Sequence, residues 1–282
     1  MPVFDTPEPI SVTVELGVGD LRVVAGDRAD TVVEVRPSDP AKKGDVTAAE
    51  QTHVEYAGGG LLIKAPKSWR QYTFRGGGES VDVQVELPAG SQLRGETGVA
   101  ALRCRGRLGE CRYKTGIGDI QLDQAGAVQL RTGVGDITVE RAGGDAELTT
   151  GSGSVRIDGI DGTAVVKNSN GDTWIGEARG DLRLRAANGS IAVDAAHAGV
   201  VAKSSNGDVR LGEVVRGSVV LETSLGDLEV GIREGTAAWL DVRSKAGQVH
   251  NALDAAEAPE PSAETVEVRA RTSTGSILVR RP

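Results

Sequence analysis

Large rings are scarce in this 282-residue chain: aromatic residues make up 3% of it, although globular cores ordinarily draw much of their buried area from such side chains. The core must therefore be assembled from thin aliphatic layers. Cysteine is almost missing as well. Cys104 and Cys111 are the only two, too few for a disulfide framework and without the further ligands of a closed zinc site, so both are read as core thiols. No apolar run approaches the roughly 18 residues that span a bilayer. The opening MPVFDTPEP has neither the basic nor the apolar region of a secretion signal. On these grounds the chain is expected to be cytoplasmic, without direct membrane insertion. Positive charge is in deficit, 32 Lys and Arg against 40 Asp and Glu for a net −8, which argues against a nucleic-acid partner.

Glycine is plentiful, at 39 residues, and it recurs in a pattern. The strings TGIGDIQLD from 115, TGVGDITVE from 132, TGSGSVRID from 150, NSNGDTWIG from 168, AANGSIAVD from 186, SSNGDVRLG from 204 and TSLGDLEVG from 223 repeat at about 18 residues, the length of a short solenoid coil. Degenerate copies begin at Thr97, Ser244 and Thr272, as expected of terminal coils that cap a stack. After each Gly-Asp corner two apolar positions alternate, as at Ile120/Leu122 and Ile137/Val139, and a second pair precedes the next corner, as at Val128/Leu130 and Leu182/Leu184. Period two marks a strand with one buried face. Glycines between the paired strands, Gly126, Gly143, Gly144, Gly162, Gly180, Gly199 and Gly217, are expected to supply positive φ at a second corner. The pattern predicts an all-β fold over 97–282, a flattened β-solenoid of about ten two-strand coils. Cys104 and Cys111 fall in its inward columns.

Residues 1–96 alternate in longer, unevenly spaced segments and are predicted to form an N-terminal antiparallel β cap over the open first coil. The stretch from Asp39 to Gln51 is read as a helical turn or a loop. With its TGxGD[IV]xV units, upstream alternating strands and ELPAG link at 86–90, the chain resembles the bacterial β-strand-repeat proteins of the toast-rack type, a domain-of-unknown-function family also catalogued as candidate adhesins. The resemblance implies a β-solenoid encoded near membrane-stress or transport systems. It supplies no catalytic residues.

The corner column Asp119, Asp136, Ser154, Asp172, Ser190, Asp208 and Asp227 resembles a calcium β-roll, but interchange with serine suits a side chain that caps its own turn better than a hard cation. No metal or cofactor is expected. Asn170, Asn188 and Asn206 precede a glycine in one column, where positive φ is expected and a stacked amide ladder can form. His53, His197 and His250 stand apart, without a neighbouring nucleophile motif, and carboxylate pairs such as Asp158 with Asp161 belong to solvated corners. The chain is therefore read as no enzyme. The densest aromatic and basic cluster, with Trp69, Arg70, Tyr72, Phe74 and Arg75, is the candidate contact surface for a protein partner. Arg269, Arg271, Arg280 and Arg281 are read as charges on an end strand that block edge-to-edge growth.

Overall fold

Alternation in the sequence becomes alternation in burial. In Ile120–Ala125, Ile120 and Leu122 are buried while Gln121 faces solvent, and the same two-residue rhythm runs through most strands. The computed structural model describes residues 1–66, 79–253 and 264–282. They divide into two units, Met1–Arg141 and Ala142–Pro282.

The first unit contains β1 (Val3–Asp5), β2 (Ser11–Val18), β3 (Leu21–Gly26), β4 (Asp30–Pro37), α1 (Lys43–Gln51), β5 (His53–Ala57), β6 (Gly60–Lys64), β7 (Val81–Pro88), β8 (Gln92–Val99), β9 (Leu102–Arg107), β10 (Cys111–Ile117), β11 (Ile120–Ala125), β12 (Val128–Val134) and β13 (Ile137–Ala142). One sheet runs β1-β4-β7-β3-β9-β11-β13 and the other β5-β6-β2-β8-β10-β12. Each coil gives one strand to each sheet, as two corners per coil require.

The expected antiparallel layer is realised only at its margins, in the pairs β1–β4, β4–β7 and β5–β6. The inner strands are parallel: β2 pairs with β6 and β8, and β3 with β7 and β9. The coil arrangement therefore extends upstream of Thr97, and β2 with β3 is a coil of the same kind. Gly19 repeats the corner conformation at φ 139°. Between Asp39 and Gln51 a helix forms. Asp45 in its first turn is buried and accepts hydrogen bonds from the amides of Asp39 (3.2 Å) and Ser80 (3.1 Å).

The second unit contains β14 (Ala146–Ser152), β15 (Val155–Ile160), β16 (Ala164–Asn170), β17 (Thr173–Ala178), β18 (Leu182–Asn188), β19 (Ile191–Ala196), β20 (Val200–Lys203), β21 (Val209–Val214), β22 (Gly217–Leu225), β23 (Leu228–Ile232), β24 (Ala237–Ala246), β25 (Val249–Asn251), β26 (Thr265–Thr274) and β27 (Ile277–Arg280). Its sheets run β15-β17-β19-β21-β23-β27-β25 and β14-β16-β18-β20-β22-β26-β24. The last coil in sequence is therefore not the last in space. β26 lies between β22 and β24, and β27 between β23 and β25. The arginines of β26 and β27 accordingly belong to an interior coil and block no edge. The first unit has the mirrored arrangement, with its first coil held between β6/β7 and β8/β9.

Both cores are mainly aliphatic, although Tyr113 is buried in the first. Leu130, Leu148, Val166, Leu184, Ala202 and Leu221 are at most 1% exposed, and burying such larger side chains contributes about 1.5–3 kcal/mol each. Glycine has two separate uses. At the Gly-Asp corner it is left-handed, from Gly118 (φ 148°) to Gly275 (φ 142°). Of the seven glycines expected to supply positive φ at the other corner, Gly217 alone does so; Gly162 and Gly180 are needed for clearance, since a Cβ on Gly180 would lie 2.3 Å from the Gly162 carbonyl oxygen. Asn170, Asn188 and Asn206 are not left-handed either, because the glycine that follows each of them takes the strained conformation.

Candidate functional site

Four corner aspartates reach across coils. Asp119 accepts from the amide of Asp136 (2.9 Å), Asp172 from Ser190 (2.8 Å), Asp208 from Asp227 (2.8 Å) and Asp227 from Ser276 (2.6 Å). Each carboxylate therefore ties one corner to the next. Among the described residues no group of three or more His, Cys, Asp or Glu is placed to hold a metal ion. At the opposite corner Asp145 accepts from both the amide and the hydroxyl of Thr163 (2.9 and 2.8 Å), which holds its carboxyl below the usual range.

The asparagine column forms the expected ladder. The Asn206 amide donates to Asn188 (2.8 Å), Asn188 to Asn170 (2.9 Å), and Asn170 to the Gly151 carbonyl (3.3 Å). A buried hydroxyl column beside it escaped the sequence reading. Thr132 donates to Gly118 O (3.0 Å), Ser204 to Gly189 O (3.1 Å), Thr223 to Gly207 O (3.0 Å) and Thr272 to Gly226 O (3.0 Å). Its signal was the Thr or Ser three residues before most corner glycines, with Ala186 before Gly189 an exception. Asn168 substitutes for it by donating to Gly153 O (3.0 Å) and Gly171 O (2.8 Å), but leaves its own Oδ1 buried without a partner.

Cys104 and Cys111 are free, buried thiols. Burial pushes Cys104 well above the ordinary thiol value and Cys111 up to about 12. Trp174 stacks under Arg156, whose guanidinium carbon is 3.9 Å from the ring centroid, and donates to Asp194 (3.2 Å). Asp158 and Asp161 each face an arginine of their own, Arg156 (3.0 Å) and Arg179 (3.2 Å). His53 and His197 meet Glu55 (3.0 Å) and Glu177 (3.1 Å). Arg281 donates to the carbonyls of Ile232, Arg233 and Thr236 (3.2, 2.6 and 3.3 Å), pinning the chain end. Arg280 meets Glu229 at 2.7 Å. Trp69, Arg70, Tyr72, Phe74 and Arg75 lie outside the described residues.

The sheet that carries the threonine column holds two grooves among the described residues. In the first unit a groove of about 460 Å³ is lined by Thr13, Arg94, Gly95, Glu96, Arg112 and Lys114, among others. Tyr113 lies beneath it, where a Cβ on Gly95 would come within 2.4 Å of the ring. The row of residues in register here runs Lys64, Glu15, Glu96, Lys114 and Arg131. Lys64 pairs with Glu15 and Lys114 with Glu96, both at 2.9 Å. In the second unit a groove of about 680 Å³ is lined by Arg185, Lys203, Glu222, Arg243, Lys245 and Arg271 together with Ser204, Ser205, Ser224 and Ser273. Arg271 and Arg243 share Asp241, each at 3.2 Å, which keeps that carboxyl below its usual range.

Stacked parallel coils that each give one strand to either sheet define a β-solenoid. The chain belongs to the Toastrack DUF4097 family, whose model matches residues 10–279. No protein with a curated description matches it. Among solved structures it is similar to a candidate adhesin from Bacteroides fragilis, at 12% identity with 100% of this chain and 95% of that one covered, TM-score 0.35. A candidate adhesin from Parabacteroides distasonis is 11% identical over 98% and 95% of the two chains, TM-score 0.34. A candidate lipid-binding protein from the same species is 11% identical over 100% and 95%, TM-score 0.35.

Proposed function

We propose that the protein is a non-enzymatic interaction module, located in the cytoplasm, whose partner-bearing surface is the outer face of the threonine-column sheet. One observation carries this reading: two grooves, of about 460 and 680 Å³, lie on that sheet and are lined by charged side chains on fully paired strands. A regular rigid surface suits partner binding, because little side-chain or backbone order is lost on association. The test is affinity purification from native cells with the wild type and with Arg94→Glu/Arg112→Glu, alongside cell fractionation. A partner recovered in stoichiometric amount and lost from the double variant supports the reading; an unchanged set of partners for variants of both grooves overturns it.

A second reading, assembly of copies into a scaffold, is favoured by β24. This outer strand is ten residues long, and its Trp239 is 70% exposed. Long exposed edges template strand pairing, so filaments in electron micrographs of the concentrated protein would support this alternative.

A further inference from the structure

The outermost strands of the two units are finished differently. In the first unit they are β1 and β5, and the rings of Phe4 and Tyr56, one from each, meet at 5.3 Å. In the second unit they are β24 and β25, with no strand further out among the described residues, and the core columns run out into solvent. Leu240 and Val242 are half-buried where their register neighbours Val268 and Ala270 are fully buried. Val249 is 43% exposed beside a fully buried Ile277.

The free edge of β24 has a defined pattern. The Ala237 amide donates to Glu264 O at 2.9 Å, on the β26 side. Alternation along the strand then turns the peptide groups of Trp239, Asp241 and Arg243 towards β26 and those of Leu240, Val242 and Ser244 towards open solvent. The side chains alternate as well, so Trp239, Asp241, Arg243 and Lys245 form one row on the face away from the core. Asp241 holds Arg271 on one oxygen and its own-strand neighbour Arg243 on the other, each at 3.2 Å.

Resting on the reading in which β24 templates strand pairing, we propose that its occupant is β24 of a second copy, antiparallel about a two-fold axis through Val242, so that assembly closes at a dimer. An axis normal to the sheet keeps the core faces of both copies on the same side, and each contact occurs twice. In this register Asp241 stands opposite the copy's Arg243, and Trp239 opposite its Lys245; opposite charges across strands and a cation beside an indole are both favourable. Asp241 and Arg243 fall on a pair without hydrogen bonds, where side chains approach most closely, nearer than two residues along one strand at about 6.6–6.8 Å. Each Asp241 thus exchanges its own Arg243 for the copy's and keeps Arg271. On the core side Val242 meets Val242 and Leu240 meets Ser244, which covers the apolar positions left half-buried. Moving the axis to Asp241 sets that carboxylate against itself, and moving it to Arg243 does the same with the guanidinium. The outermost strands of the first unit, three and five residues long, are too short to match the ten of β24, so head-to-tail growth gains less than the symmetric pair.

Sedimentation of the full chain over a concentration series should show a monomer–dimer equilibrium. Arg243→Asp and Asp241→Arg each turn two attractive pairs into two repulsive ones and should raise the dimer dissociation constant by about tenfold or more. Mixed in equal amounts, the two variants are complementary and should recover a heterodimer, with melting curves showing that each is folded. Val242→Cys reads the register without altering charge: mild oxidation should link it to its copy, since residues paired at the axis are within disulfide reach, while Cys104 and Cys111 stay buried. A dimer indifferent to Arg243→Asp, folded variants that fail to complement, or a Val242→Cys chain that does not cross-link would overturn the assignment. Filaments overturn the closed pair and keep the assembly reading, whereas a monomer at every concentration loses both. A monomer that sheds a native partner on Arg243→Asp gives the edge to another protein and also overturns the pairing. The groove-based module reading rests on Arg94→Glu/Arg112→Glu and survives each of these outcomes.

Discussion

At the scale of single residues, the threonine column explains why one position is flawed. A hydroxyl there donates once and fits, whereas the Asn168 amide donates more than once but strands its Oδ1 in the core. A buried unsatisfied acceptor costs about 1–3 kcal/mol. Asn168→Thr should therefore stabilise the fold by about 1 kcal/mol, read as a rise in denaturation midpoint. The thiols give a second expectation. Cys111 stays protonated in the folded chain to about 12, whereas an unfolded thiol ionises near 9.0. Between these values the unfolded state binds fewer protons, so stability falls as pH rises from 9 towards 12. Cys111→Val, matching its column neighbour Val128, should lessen that alkaline loss in melts across pH 8–11. The inward positions of both cysteines and the asparagine ladder were legible because columns can be aligned by eye. The hydroxyl column was not, since Thr in a strand is equally at home facing water.

At the scale of the coil, the two corner residues contribute unequally. Asp208 is exposed and its bond to the Asp227 amide can be replaced by water, so Asp208→Ala should cost only about 0.5–1 kcal/mol. Gly207→Ala combines φ +144° with a Cβ placed 2.1 Å from the Gly189 carbonyl oxygen. It should cost about 3 kcal/mol or more, from left-handed strain and forced backbone movement together. Urea titration of the pair separates the two effects. The same corner was written at the start of the chain, where Gly17-Val18-Gly19-Asp20-Leu21 copies the later GVGDI string. It did not align as a coil in the sequence, because β4, α1 and β5 intervene before the next coil strand.

At the scale of the whole molecule, strand number and inward faces followed from the 18-residue period, but the spatial order of the end coils did not. Every coil presents the same columns, so periodicity says which residue faces which column and is silent on which coil lies beside which. The candidate grooves were hidden for a related reason: their outward rows are contributed by residues 18 or more apart, and their sign pattern emerges only once register is known. Removing residues 265–282 takes out the coil between β22/β23 and β24/β25. The shortened chain should melt at a lower temperature and be cut faster by protease within 237–252.

The intercalated last coil also bears on how the protein is made. Synthesis delivers β24 and β25 before the strands that must separate them from β22 and β23, so they can reach their final neighbours only after β26 and β27 have been made. A chain released early cannot close its final layer. Completion of the second unit thus waits on these strands, and Arg281, bonded to three carbonyls of the chain before β24, fastens them in place.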